Sequence, residues 1–197
     1  MNKTSEEKQE IIGNHFYEHQ SILTETENKL SQQINYIAKE VSETILNDGT
    51  IFFCGNGGSA SDSQHLAAEF IGRFKNERKP LRAISLTSDT SVLTCISNDF
   101  GFDNIFSRQI EALGKKNDLL IAISTSGKSR NVEKALKQAK KNGLKSIAFL
   151  GKDGGIAKTI ADISLIIPSY STARIQEMHI FVGHIICDLV EKELGFE

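Results

Sequence analysis

Only three cysteines occur in the 197 residues, Cys54, Cys95 and Cys187, and no two of them have CxxC or zinc-finger spacing. An odd number so widely scattered argues against a disulfide framework and fits a reducing compartment. Cys54 and Cys187 lie in apolar runs, where a free thiol behaves as a small hydrophobe. An excess of one charge is also missing: 23 basic against 25 acidic residues give a formal net charge of −2. That balance supplies no broad basic patch, so neither nucleic acid nor a membrane surface is an expected partner. No apolar stretch approaches the ~20 residues needed to span a bilayer. The polar, acid-containing start from Met1 to Glu10 does not read as a signal peptide. The expectation is a soluble, cytoplasmic protein. With no internal repeat and no low-complexity linker, residues 1–197 are expected to form one domain, with 1–48 serving packing and oligomerisation.

What is present is a long helical opening followed by a regular alternation. From about Ser5 to Asn47, Ile11, Ile12, Phe16, Ile22, Leu23, Leu30, Ile34, Ile37, Val41, Ile45 and Leu46 recur at spacings of three and four among polar residues. More than forty residues exceed an ordinary globular helix, so the pattern predicts two helices with a break near Glu25 to Lys29. Asp48-Gly49 ends it. Short apolar runs then appear at Thr50 to Cys54, Arg82 to Leu86, Leu119 to Ile123, Lys145 to Leu150 and Ile163 to Ile167. Helical segments separate them, and Ser171 to Leu194 closes the chain as a long helix. Uniformly apolar strands alternating with helices predict an α/β fold, a three-layer αβα sandwich around a five-stranded parallel sheet. Ligands of such sheets bind at the carboxyl ends of the strands.

Two loops fall on that edge. Ser124-Thr125-Ser126-Gly127-Lys128-Ser129 sets four hydroxyls between a strand and a helix N-terminus. Free backbone N–H groups and the positive end of the helix dipole suit a phosphate there, and Gly127 permits close backbone approach. A serine-rich turn with an ordinary N-cap is the plainer alternative. The Walker A pattern is absent, and Gly55-Asn56-Gly57-Gly58-Ser59 lacks the spacing of the dinucleotide fingerprint. A phosphorylated small molecule is therefore favoured over a nucleotide.

Cys54-Gly55-Asn56-Gly57-Gly58-Ser59, Gln64 to Phe70, Ser97-Asn98-Asp99-Phe100-Gly101-Phe102, Ser124 to Ser129, and Arg174-Ile175-Gln176-Glu177-Met178-His179 with His184 run in order through nearly the whole chain. In these stretches the sequence resembles the sugar isomerase (SIS) superfamily, with a flavodoxin-like sheet. Within it the match narrows to the phosphoheptose isomerases, which interconvert sedoheptulose 7-phosphate and D-glycero-D-manno-heptose 7-phosphate. The resemblance implies that Ser59, Ser124, Thr125, Ser126 and Ser129 hold the phosphate. It implies that Asn56, Gly57, Gly58, Asn98, Asp99 and Gln176 contact the sugar or shape its pocket.

Aldose–ketose isomerisation moves a proton between adjacent carbons through an enediol, which calls for a base, a second proton-handling group and stabilisation of the enediolate. His65 and Glu69 are four residues apart on the helix after the first loop and share a face, although a surface ion pair would have the same spacing. His184 lies among Val182, Ile185 and Ile186, where a histidine is often a core or interface residue; the resemblance makes it catalytic. The expected roles are Glu69 as base and substrate contact, with His184 as acid or second base. His179 is a supporting residue at most, and His15 and His19 match no motif.

Enzymes resembling this one carry one zinc per subunit at positions that here are His65, Glu69, Gln176 and His184. Imidazole and carboxylate are normal zinc ligands. Eight residues of helix separate Gln176 from His184 by ~12 Å, so both must reach inward or one must come from a neighbouring subunit. The resemblance also implies a homotetramer with active sites at subunit interfaces, serving heptose synthesis for lipopolysaccharide or capsule. Where many relatives carry an aspartate before Arg174, this chain has Ala173, and the Tyr170 to Thr172 loop is a candidate replacement for its sugar contact. The rival is a non-enzymatic SIS protein that senses a sugar phosphate or binds a replication initiator. It needs the phosphate loop but has no use for Glu69 and His184.

Overall fold

The computed structural model describes residues 4–196. One continuous helix, α1 (Ser5–Leu46), replaces the two expected at the start of the chain. Thr4 caps it in a reciprocal box with Glu7, each satisfying a backbone N–H of the other. The anticipated break at Glu25 to Lys29 is absent because that stretch contains no proline or glycine, and Lys29 pairs with Glu25 one turn away at 2.5 Å. Thr26, Leu30, Ile34, Ile37 and Val41 form one buried stripe along the helix. Tertiary packing therefore supports a length that isolated helices lack. Towards its N-terminus Phe16 and Tyr17 are 68% and 76% exposed, so that end offers an apolar face to solvent.

The strands are β1 (Ile51–Gly55), β2 (Ala83–Ser85), β3 (Leu119–Ser124), β4 (Lys145–Gly151) and β5 (Ile163–Ile167). They form a single parallel sheet, as the apolar runs predict, and its order is β2-β1-β3-β4-β5. Alternate residues face opposite layers. Phe53, Ile121 and Phe149 pack towards α1, α2 (Gly58–Ile71) and α7 (Thr172–Glu193). Phe52, Leu120 and Ala148 pack towards α3 (Thr90–Phe100), α4 (Ser107–Leu113), α5 (Arg130–Asn142) and α6 (Ala157–Ile160). Phe52 and Phe53 are each 1% exposed, so losing either ring costs about 3–5 kcal/mol.

β1 is the switch point: its neighbours β2 and β3 lie on opposite sides of it. The loops after β1 and β3 consequently open the crevice in which such sheets bind ligands. Helices α2 and α7 both start at this edge and run parallel, in close contact. A Cβ on Gly58 would lie 2.4 Å from Gln176 Nε2, and one on Gly183 would lie 2.6 Å from Leu66 Cδ2. Glycine at 183 is what lets the two helices approach.

Candidate active site

The loop after β3 is built for backbone approach. Ser124 Oγ accepts from Gly127 N at 3.1 Å and meets Ser129 Oγ at 3.3 Å, while Lys128 N donates to Ser126 Oγ at 3.2 Å. Gly127 has φ +63°, and a Cβ there would sit 1.9 Å from Gly154 O. Glycine is thus required by conformation and by space, because the loop after β4 presses against it. Ser129 ends the loop as the N-cap of α5 without a side-chain cap bond; Val132 N donates to Asn131 Oδ1 at 2.9 Å, which leaves the N–H groups of Arg130 and Asn131 for an anion.

A reciprocal amide pair joins the two loops. Asn56 Nδ2 donates to Asn131 Oδ1 at 2.9 Å, and Asn131 Nδ2 donates to Asn56 Oδ1 at 2.8 Å. Asn56 therefore shapes the pocket by tying the glycine loop to the start of α5. Ser59 is 3% exposed, in the first turn of α2. Thr125 and Ser126 are half-buried at the rim. A cleft of ≈ 180 Å³ runs from Gly55, Asn56 and Gly57 to Leu93 and Phe102. Asn98 and Asp99 occupy the exposed last turn of α3, where Asn98 Nδ2 donates to Asp99 Oδ1 at 2.7 Å.

About two turns down α2, three chemically active groups meet. His184 Nε2 lies 2.9 Å from His65 Nε2, which lies 3.2 Å from Glu69 Oε1. All three donor atoms fall within 4.8 Å of one another. Burial and the neighbouring His65 push the His184 pKa below its ordinary value, and Glu69 opposes them. The Phe74 ring stacks on His184 with centroids 5.3 Å apart. Two imidazoles and a carboxylate converging in this way form a donor set that zinc accepts.

Gln176 does not join the cluster within one chain. It lies against Gly58 at the top of α2, two helical turns above His184 on α7. His179 is fully buried, its Nε2 bonds the Leu150 carbonyl at 3.0 Å, and burial pushes its pKa down to about 4. It is a neutral core residue. Ala173 is exposed in the first turn of α7, and Tyr170 beside it is 77% exposed. His15 and His19, which no motif covers, help to fasten α1 to α7. His19 Nδ1 is 2.7 Å from Glu177 Oε2, and Arg174 donates to the His15 carbonyl at 2.9 Å.

The chain matches the SIS domain family over residues 14–151. It is 50% identical to the phosphoheptose isomerase of Helicobacter pylori (strain P12), over 94% of this chain and 97% of that protein. Its identity to the Clostridium acetobutylicum phosphoheptose isomerase is 55%, over 83% of each. The solved structure of phosphoheptose isomerase GmhA from Neisseria gonorrhoeae superposes with a TM-score of 0.89 at 43% identity, covering 93% of this chain and 98% of that one. The chain belongs to the phosphoheptose isomerase family.

For a member of this family, the sequence motifs miss four residues that shape the site. Asn131 stands only two places past the Ser129 loop, and its amide type was the available signal. Phe74, Arg78 and Glu191 lie outside every motif. Glu191, seven residues after His184, carries no local sign that sets it apart from Asp188 or Glu193.

Proposed function

We propose that the protein converts sedoheptulose 7-phosphate to D-glycero-D-manno-heptose 7-phosphate in the cytoplasm, as an aldose–ketose isomerase of heptose synthesis. The observation that carries this reading is the convergence of Glu69, His65 and His184 on the helices that begin at the phosphate loops. The free state of all three cysteines supports the cytoplasmic setting.

In this reading the phosphate sits on the N–H groups and hydroxyls of Ser124, Thr125, Ser126 and Ser129, with Ser59 closing the cradle. Asn56, Gly57 and Gly58 wall the sugar, and Asn98 and Asp99 take its hydroxyls. The chain of the sugar then extends along α2 towards Glu69. Glu69 removes the proton from C2 of the aldose or C1 of the ketose and returns it to the adjacent carbon. His184, held neutral by burial beside His65, shuttles the proton between the two oxygens. Phe74 limits water at that imidazole.

His65, Glu69 and His184 would hold one zinc ion, with Gln176 supplied by a neighbouring copy. Bound there, the metal supplies polarisation of the substrate oxygens. The same reading takes the assembly as a homotetramer with sites at subunit interfaces, using the exposed apolar face of α1. Single-chain geometry supports it, because the ~12 Å between Gln176 and His184 is not bridged within one helix.

Assay of the purified protein with sedoheptulose 7-phosphate, with and without a chelator, tests the proposal. Turnover that falls on chelation and returns with zinc is the expected result. Absence of any turnover by the zinc-loaded protein would reject the reading.

A further inference from the structure

A buried ion pair stands behind the proton-transfer groups. Glu191 follows His184 by seven residues on α7, about two turns and so on the same face. The side chains of Glu191 and Arg78 are each 1% exposed. The Glu191 carboxylate accepts from Arg78 Nε at 2.8 Å and from the backbone N–H groups of Phe74, Lys75 and Asn76 at 3.0, 3.1 and 3.1 Å. It is the anchor of the whole segment after α2.

Arg78 turns that anchor towards the site. Its guanidinium donates to the carbonyls of Glu69 and Phe70 at 2.7 and 2.9 Å, and to that of Gly72 at 3.3 Å. Those are carbonyls that the end of α2 leaves without helical partners, and α2 has no basic residue of its own in its last turn. Glu69 belongs to that last turn. The end of α2 is therefore fixed to α7 through Arg78 and Glu191, and the intervening segment lays Phe74 over His184. Apolar packing could join two helices without the desolvation that a buried pair costs. What the pair adds is a fixed register between one helix end, one loop and one ring.

We propose that Glu191, acting through Arg78 and the Phe74–Asn76 backbone, is a positioning residue for the proton-transfer pair. It sets Glu69 against His184 and holds the Phe74 ring on the His184 imidazole. The activity arm of this inference rests on the isomerase reading above; its geometric arm does not. The clamp lies about ten residues of helix, roughly 15 Å, from the start of α2 where the phosphate binds. Its loss should therefore affect the chemical step and leave substrate affinity nearly unchanged.

The test uses the full-length protein and three variants, Glu191→Gln, Phe74→Leu and Phe74→Tyr, each checked for a cooperative thermal melt. Steady-state kinetics with sedoheptulose 7-phosphate give kcat and KM separately, and chelator competition gives the affinity for zinc itself. Glu191→Gln and Phe74→Leu are expected to lower kcat about 10-fold with KM within about twofold, and Glu191→Gln to weaken zinc about 10-fold. Phe74→Tyr, which keeps the ring, should restore kcat. If Glu191→Gln does not fold, the two Phe74 variants decide. Folded variants with unchanged kcat and zinc affinity overturn the proposal, as does a KM that rises as far as kcat falls. If the parent protein turns over no sugar phosphate, the isomerase reading fails and the zinc affinities still decide the clamp.

Discussion

His184 and His65 face each other through Nε2 atoms 2.9 Å apart, although 119 residues separate them in sequence. Only one of two such facing nitrogens can carry the proton between them, so the pair is arranged to pass a proton or to hold a cation. Glu69 lies 3.2 Å from His65 in the same cluster, which sets the carboxylate proposed as base beside the two imidazoles. Glu69→Gln is expected to lower kcat by roughly 10²–10⁴-fold, with a much smaller effect on KM. Exchange of the C1 and C2 hydrogens with deuterated solvent is the decisive measurement. Near-normal exchange in that variant would remove Glu69 from the role of base.

Gly127 is doubly constrained, and substitution there should show it. Gly127→Ala must place a methyl group 1.9 Å from Gly154 O at φ +63°, so the loop has to move. KM for the sugar phosphate should rise at least ~10-fold and stability fall by about 1–3 kcal/mol. Gly143→Ala is the control: it also has positive φ, at +78°, but its nearest neighbour is 3.9 Å away. That variant should lose about 1 kcal/mol in a thermal melt and leave KM alone. Equal KM effects in both would show that the loop is insensitive to its local geometry.

The Asn56–Asn131 pair makes a coupling prediction. Each amide bonds the other, so removing Asn131 leaves Asn56 and the Val132 N–H without these partners, and removing Asn56 leaves Asn131 Nδ2 without its acceptor. In a double-mutant cycle, Asn56→Ala and Asn131→Ala should cost little more together than singly, with a coupling of about 1–2 kcal/mol. Additive effects on stability would mean that the two loops are held independently.

Acid should loosen the segment after α2. Burial alone would raise the Glu191 carboxyl, but the three backbone N–H groups and Arg78 outweigh it and hold the carboxyl below its usual 4.5. A depressed folded-state value means that the contribution is complete above about pH 4.5 and is lost as the pH falls through the lowered value. Glu191→Gln should therefore melt lower than the parent at pH 7, with the gap narrowing towards pH 3. A gap that stays constant across that range would deny the carboxylate this role.

Asp62 has the opposite sign. Its Oδ2 is buried without a partner among the described residues, and burial raises its pKa from 3.8 to about 6, with His65 opposing. A raised carboxyl favours folding below pH 3.8 and loses that advantage as the pH climbs through about 6. Asp62→Asn should then stabilise the protein at pH 8 by on the order of 1 kcal/mol, discounted for its exposed part. Thermal melts between pH 4 and 8 check it: a gain that does not shrink towards pH 4 rules this cause out.

The five strands, their parallel direction and the position of both glycine- or serine-rich loops at the strand ends were legible from the chain, because apolar runs and such turns are local signals; the strand order was not. His65 and Glu69 were legible for the same reason, being one turn apart on one helix. Length alone suggests a break in α1 that the structure does not have, since no residue of the Glu25 to Lys29 stretch ends a helix. Its continuity depends on the buried stripe from Thr26 to Val41, which only packing against the rest of the fold creates.

Sequence by itself determined which groups are on offer: hydroxyls and backbone N–H groups in the loops at the strand ends, a carboxylate and imidazoles on the helices that follow. Tertiary structure decided which of those groups work together. It set His184 on His65 and Gln176 on Gly58, turned Asn56 to Asn131, and buried His179 in the core. It also placed Glu191 and Arg78 behind the site. Such choices depend on how two parallel helices pack across Gly183 and Leu66, a contact between residues more than a hundred positions apart that no local pattern records.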